Sequence, residues 1–193
     1  MQFTLSEIQK EIKENSTKLL KENIDLLETI QKVDDNCRLD ENIWKLVIEQ
    51  GWLALDVPES DGGLGFSNTD TAILSEVLGY YMPIIPLFSS GVVFKNLVLL
   101  SNENIKNTIL PEIISGEKIG TYCVYENDKY LTSSDEISTT LTKDKKGYIL
   151  NGQKKYVIFG DVSDYFAILA NSKEGSMFVL VNKDSEGLEI KQT

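Results

Sequence analysis

The chain contains no histidine, and that absence removes more chemistry than any other feature of its composition. Without imidazole there is no Ser-His-Asp or Cys-His nucleophile and no His-containing metal site. Cysteine is nearly as scarce. Cys37 and Cys123 are too few for a zinc cluster or a disulfide framework, and their expected role is packing in a reduced, cytoplasmic setting. No apolar run is long enough to suggest a membrane span, because the richest stretch, 80–100, is interrupted by Pro83, Pro86 and Lys95. The N-terminal MQFTLSEIQKEIKEN is charged from Glu7 onward and lacks the apolar centre of a signal peptide. Positive charge is also short: 19 Lys and Arg stand against 30 Asp and Glu, for a net charge of -11 spread along the chain. That balance argues against nucleic acid and anionic membrane as partners, since both need clustered cations. It leaves room for an anionic ligand held by backbone N–H groups. The glycine-rich ESDGGLGFS is not a G-x-x-x-x-G-K-[ST] loop, and no G-x-G-x-x-G follows a strand, so it reads as a tight connection between packed helices.

What is present fits an ordinary soluble globular chain: 193 residues, 41% hydrophobic and 25% charged, enough for one large domain or two small ones. Thr4 and Glu7 have capping-box spacing and predict a short helix, followed by a second over 16–33 with Leu20, Ile24, Leu27 and Ile30 on one face. The next helix is capped by Asp40, stapled by Leu39 and Trp44, and stopped by Gly51. Ser67 and Asp70 start another, whose apolar face is Ile73, Leu74, Val77, Leu78 and Tyr81. Residues 89–100 are apolar almost all round, as in a helix buried within a bundle, and two short helices divided by Pro111 close the region at Gly116.

From Lys118 the periodicity changes to that of strands, predicted at 118–126, 136–143, 147–150, 154–160, 164–171, 176–182 and 187–193. Asn151-Gly152 predicts a type I′ hairpin joining 148–150 to 156–159, and Asn127-Asp128 another turn. Helices followed by strands imply an α+β chain with a helical part over 1–117 and a β part over 118–193. The final LEIKQT is a strand with nothing to finish its sheet, which suggests a truncated β-domain or an edge covered by a partner.

Three segments resemble the acyl-CoA dehydrogenase family in the right order: GWLALDVPESDGGLGFSNTD, ILPEIISGEKIGTYCVYE and LNGQKKYVIFGDVSDYFAILA. The resemblance implies an N-terminal all-helical domain followed by an incomplete antiparallel β-barrel domain. It implies FAD as cofactor and an acyl-CoA or related acyl thioester as substrate. In that family a carboxylate on a C-terminal bundle removes the α-proton while the β-hydride passes to the flavin. The expected partners are copies of the chain or related subunits in an oligomer, with an electron-accepting flavoprotein as a further candidate.

By the same resemblance Tyr122, Val124, Tyr125, Tyr156 and Ile158 fall where the family lines its flavin, and Ser134 where it meets substrate; the alternative for the first five is β-core packing. Several positions depart from the family pattern. Tyr125 and Asn127 replace the Thr and Pro of T-E-P, Ser133-Ser134-Asp135 lacks the glycine of G-S-D, and Ile158 replaces a hydroxyl residue. Glu59 and Glu126 are not expected to be catalytic, and no segment resembles the C-terminal bundle that would carry the base. Two functions follow: a flavoprotein portion serving as FAD platform and acyl-cavity wall, or a non-catalytic subunit or interaction module that kept the fold.

Overall fold

A computed structural model describes residues 4–126, 133–145 and 147–192. Its helices begin where local chemistry satisfies their first N–H groups. Helix α1 (Glu7–Asn23) starts at a capping box formed by Ser6 and Gln9, two residues beyond the Thr4 predicted to start it. The expected second helix over 16–33 is divided differently. The chain turns extended at Ile24, and Asp25 caps α2 (Leu26–Asp34) by accepting from the N–H groups of Leu27 and Glu28. Helix α3 (Glu41–Glu49) is capped by Asp40 as expected, and Gly51 at φ 69 supplies the left-handed stop. Leu39 and Trp44 join the same core cluster. Helix α4 (Asn68–Tyr81) has the Ser67–Asp70 capping box; it buries Ile73, and packs Leu74, Val77 and Leu78 against α1 and α3.

The apolar stretch after Pro86 forms a π-helix (Leu87–Phe94) that continues into α5 (Lys95–Leu99). Pro111 does not divide the next segment: α6 (Glu103–Ile114) runs through it as one helix. Burial of Ile109, Leu110 and Ile113 in the core outweighs the one intrahelical bond that proline cannot donate.

The sheet differs from the antiparallel barrel implied by the family resemblance. It is mixed and open. Strand β4 (Tyr165–Ser172) is its centre, with β5 (Gly175–Asn182) antiparallel along its full length. β1 (Gly120–Cys123) pairs parallel to the start of β4, and β2 (Thr140–Lys143) pairs parallel to its end at Thr140 and Asn171. β3 (Tyr148–Asn151) lies antiparallel to β2. The parallel pairs arise because the 41 residues between β1 and β4 include a whole hairpin, so the chain returns to β4 in the direction it left β1.

The Asn151-Gly152 hairpin does not form. Asn151 ends β3 opposite Thr140, and neither residue has a positive φ. The β2–β3 turn lies at Asp144 and Gly147, between the predicted strands 136–143 and 147–150, and the Gly147 N–H donates to Asp144 Oδ1 at 2.9 Å. Gly152 is needed for closeness, since a Cβ there would lie 2.4 Å from Thr139 Oγ1. Residues 152–160 form no strand, nor do the described residues 187–192. The predicted turn at Asn127-Asp128 lies outside the described residues. No helix among the described residues is long and apolar enough to cross a membrane.

Candidate functional site

Beyond Cys123 the chain leaves β1 extended, and the segment 154–158 runs beside it. The Lys155 N–H donates to Tyr125 O at 2.7 Å, and Thr121 Oγ1 donates to Ile158 O at 2.7 Å. These two bonds, one at each end, bring Tyr122, Val124, Tyr125, Tyr156 and Ile158 onto two adjacent strips of backbone. Tyr125, Tyr156 and Ile158 are 38%, 63% and 47% exposed, so all three reach solvent. Tyr156 and Phe159 both have φ 55, the left-handed conformation that non-glycine residues adopt only when their surroundings impose it.

Tyr122 is placed differently from Tyr125, Tyr156 and Ile158. It is partly buried against the cluster of Val57, Phe94, Val98 and Ile113, and so faces the helices. Cys123 points to the opposite face, against Phe166, Ile168 and Val157. Burial pushes its thiol up to about 12 against the opposing pull of Lys154, which makes it an inert packing residue. Ser134 is exposed in a short 3-10 turn (Ser134–Glu136), and its carbonyl accepts from Asn171 Nδ2 at 2.9 Å. Asn171 lies four residues beyond Ala167, the β4 partner of Tyr122, or about 13 Å along the strand. Ser134 is therefore not gathered with the other five.

Sequence reasoning missed the polar anchor beneath this surface. Glu126 is 5% exposed, and four donors converge on it. Oε2 accepts from the Ser138 N–H at 2.6 Å and Ser138 Oγ at 2.5 Å; Oε1 accepts from the Thr139 N–H at 2.9 Å and Lys154 Nζ at 2.6 Å. Burial by itself would raise this carboxyl, but the bonds from Lys154, Ser138 and Thr139 outweigh it and hold the group far below the ordinary carboxylate range. Both oxygens are therefore taken up by these four donors. Glu59 is exposed beside Gly65 in the connecting loop. The signal available in the sequence was the flanking pattern: an acid at the end of one strand and lysines opening the next segment.

A groove of about 2020 Å³ lies over the other face of the sheet, along Cys123, Leu150, Phe166, Ile168 and Val179. It is several times larger than a small-molecule site. Among the six predicted residues only Tyr156 borders it. Charged residues, among them Lys143, Lys154, Lys173 and Glu189, border it as well.

Comparison with known proteins agrees with this architecture. The family model described as the acyl-CoA dehydrogenase N-terminal domain matches residues 6–117. The chain is 27% identical over 196 residues to benzylmalonyl-CoA dehydrogenase of Aromatoleum aromaticum, which covers 98% of this chain and 51% of that protein. Among solved structures, the ChsE4-ChsE5 complex from Mycobacterium tuberculosis superposes with a TM-score of 0.88 at 22% identity, over 99% of this chain and 51% of the other. The structure of PigA with FAD and proline gives 0.84 at 22% identity, over 100% and 52%. The chain spans about half or less of the length of the curated relatives it matches.

Proposed function

The chain belongs to the acyl-CoA dehydrogenase family, and on that footing we propose that it supplies the FAD platform and part of the acyl-cavity wall for α,β-desaturation of an acyl-CoA thioester. One observation carries this reading: two hydrogen-bonded strips of backbone that present Tyr125, Tyr156 and Ile158 together, with left-handed backbone at Tyr156. The chemistry of that surface suits a flat, largely apolar ring, which stacks on aromatic and branched side chains and needs few polar partners. Tyr125, Tyr156 and Ile158 would hold the ring, and Tyr122 and Val124 would brace it from the helical side. When bound, FAD supplies the acceptor for the hydride that leaves the acyl chain. The chain's own residues exclude water from that contact and fix the plane of the wall. Ser134 is proposed as a substrate contact, reached by the part of the ligand that extends toward the far end of β4. The division into a helical unit (1–117) and a β unit (118–193) belongs to the same proposal, as does assembly with further copies or related subunits.

The test is direct. The natural full-length protein, produced with added FAD, is expected to retain flavin absorption that an acyl-CoA bleaches under anaerobic conditions. A protein that is folded by circular dichroism yet holds no flavin at saturating FAD would refute the platform.

Ile158 favours a second reading, that of a non-catalytic subunit or interaction module. It stands where the family resemblance places a hydroxyl, and an aliphatic side chain donates nothing there; a lost donor is worth about 1 kcal/mol or more in a buried site. Retention of flavin without bleaching by any acyl-CoA would select this reading.

A further inference from the structure

Lys95 lies in the most apolar stretch of the chain, and its side chain is only 1% exposed. It forms an ion pair with Asp56, itself 4% exposed, and Nζ also approaches Leu53 O at 3.4 Å. A buried pair of this kind is poor evidence of stability, because apolar residues of similar volume commonly serve as well. What this pair does is tie the backbone at Lys95 to the backbone at Asp56 and Leu53.

The surroundings show what that tie holds. Lys95 ends the π-helix, and its backbone N–H donates to the carbonyls of Ser90 and Val92. The Ser90 hydroxyl in turn accepts from the Gly120 N–H at 3.0 Å, at the first residue of β1. Phe94, beside Lys95, fills the space that a Cβ on Gly120 would occupy; the two would be 2.1 Å apart. The Phe94 ring also stacks on Tyr165 of β4, with centroids 6.3 Å apart and planes within 6°. On its other side the π-helix backbone rests on the turn that carries Leu53, where a Cβ at Gly91 would come within 2.8 Å of Leu53 Cδ2. One widened turn therefore touches the 53–56 loop through Lys95, β1 through Ser90 and β4 through Phe94. π-turns are rare, and they persist where packing on several sides requires the extra residue.

We propose that Lys95 is a positioning residue: its grip on Asp56 and the Leu53 carbonyl locks the π-helix in the register that lets Ser90 hold Gly120, and so sets where β1 carries Tyr122, Val124 and Tyr125. The consequence for FAD rests on the platform reading above; the joint itself does not. Lys95→Met leaves Asp56 buried alone and lowers stability for that reason. The informative protein is the Asp56→Leu/Lys95→Met double variant, in which neither charge remains. Its thermal midpoint is expected to return close to that of the parent. Exchange of the Gly120 amide, followed by NMR or mass spectrometry, is expected to be about tenfold faster than in the parent, the size of one lost hydrogen bond of about 1.4 kcal/mol. FAD is expected to bind about tenfold more weakly in the same protein. Recovery of Gly120 protection together with the midpoint would overturn the proposal and leave the pair as packing alone. If the double variant does not fold, Lys95→Gln read at the same amide decides in the same way. A parent protein that binds no FAD would remove the platform reading, while the Gly120 exchange would still decide the joint.

Discussion

Replacing Glu126 by glutamine changes the anchor under the candidate wall without changing its shape. The carboxylate receives four donors on two oxygens, from Ser138 (two), Thr139 and Lys154. Glutamine offers one acceptor oxygen, and its NH2 faces two of those donors. Whichever way the amide turns, one pair of donors loses its acceptor. With the oxygen toward Ser138, the stranded donors are the Thr139 N–H and the Lys154 ammonium. Lys154 is 6% exposed, so water cannot fully replace the lost partner. Removing one member of a buried ion pair typically costs about 3–5 kcal/mol. Half of the donor set is retained in either orientation, which puts the expected loss for Glu126→Gln near the lower end, about 3 kcal/mol. Urea unfolding followed by circular dichroism measures it, as a fall in midpoint at unchanged slope. The Glu126→Gln/Lys154→Met protein, with no stranded charge, should regain part of the loss. A drop below about 1 kcal/mol in the single variant would mean that the network is as weak as a surface ion pair, and the anchoring argument would fail.

Acid should act on the same group. The carboxyls of Glu126 and Asp164 are both lowered in the folded protein, burial being outweighed in Asp164 by Lys183, the Ile119 N–H and Lys118. Their contribution is therefore complete above the ordinary carboxylate values of about 4 and is lost as pH falls through the folded ones. Stability should decline below about pH 5, and less steeply in Glu126→Gln; identical acid limbs in the two proteins would contradict this. Gly120→Ala should destabilise by about 1–3 kcal/mol, because the added methyl meets the fully buried Phe94 ring at 2.1 Å. The thermal midpoint reports it as a fall of about 2–4 °C per kcal/mol, and an unchanged midpoint would show that β1 can move away from the π-helix. Tyr156→Gly should offset about 1 kcal/mol of whatever contact energy the side chain takes with it, since the backbone at φ 55 suits glycine. The same variant should bind FAD more weakly in a fluorescence titration; undiminished binding would remove Tyr156 from the wall.

The features legible in the sequence were those decided within a few residues. Asp40, Gly51, and the pair Ser67 and Asp70 mark helix ends by satisfying local N–H groups or adopting a left-handed φ, and the structure places the ends there. Asn151-Gly152 failed for a reason no local rule contains. Thr139, thirteen residues away from Gly152, presses on that glycine, so closeness rather than turn geometry governs the residue. The parallel pairing of β1 with β4 is equally nonlocal, with register Tyr122 to Ala167 set across the hairpin between them. Lys95 carries a sequence signal of its own. A lysine inside an otherwise apolar run must either break the helix or find a buried acid, and Asp56, in the apolar LALDVPE, was the nearest match in character.

The family resemblance points to Tyr156, but nothing in the sequence signals its left-handed backbone. An aromatic residue in left-handed backbone costs of order 1–3 kcal/mol and survives only where its neighbours over-determine it. Here they do. Lys154 is held through its ammonium by Glu126, Lys155 through its N–H by Tyr125, and Ile158 through its carbonyl by Thr121. Three anchors on five residues leave the chain between them little freedom, and the strained position falls inside that span. The anchors are polar and shaded, whereas the side chains they present are large, apolar and exposed. A segment that only had to close the sheet could have paired as a strand and turned Tyr156 and Ile158 inward on alternate residues. Tyr156 and Ile158 are instead held 63% and 47% exposed, Tyr156 at φ 55.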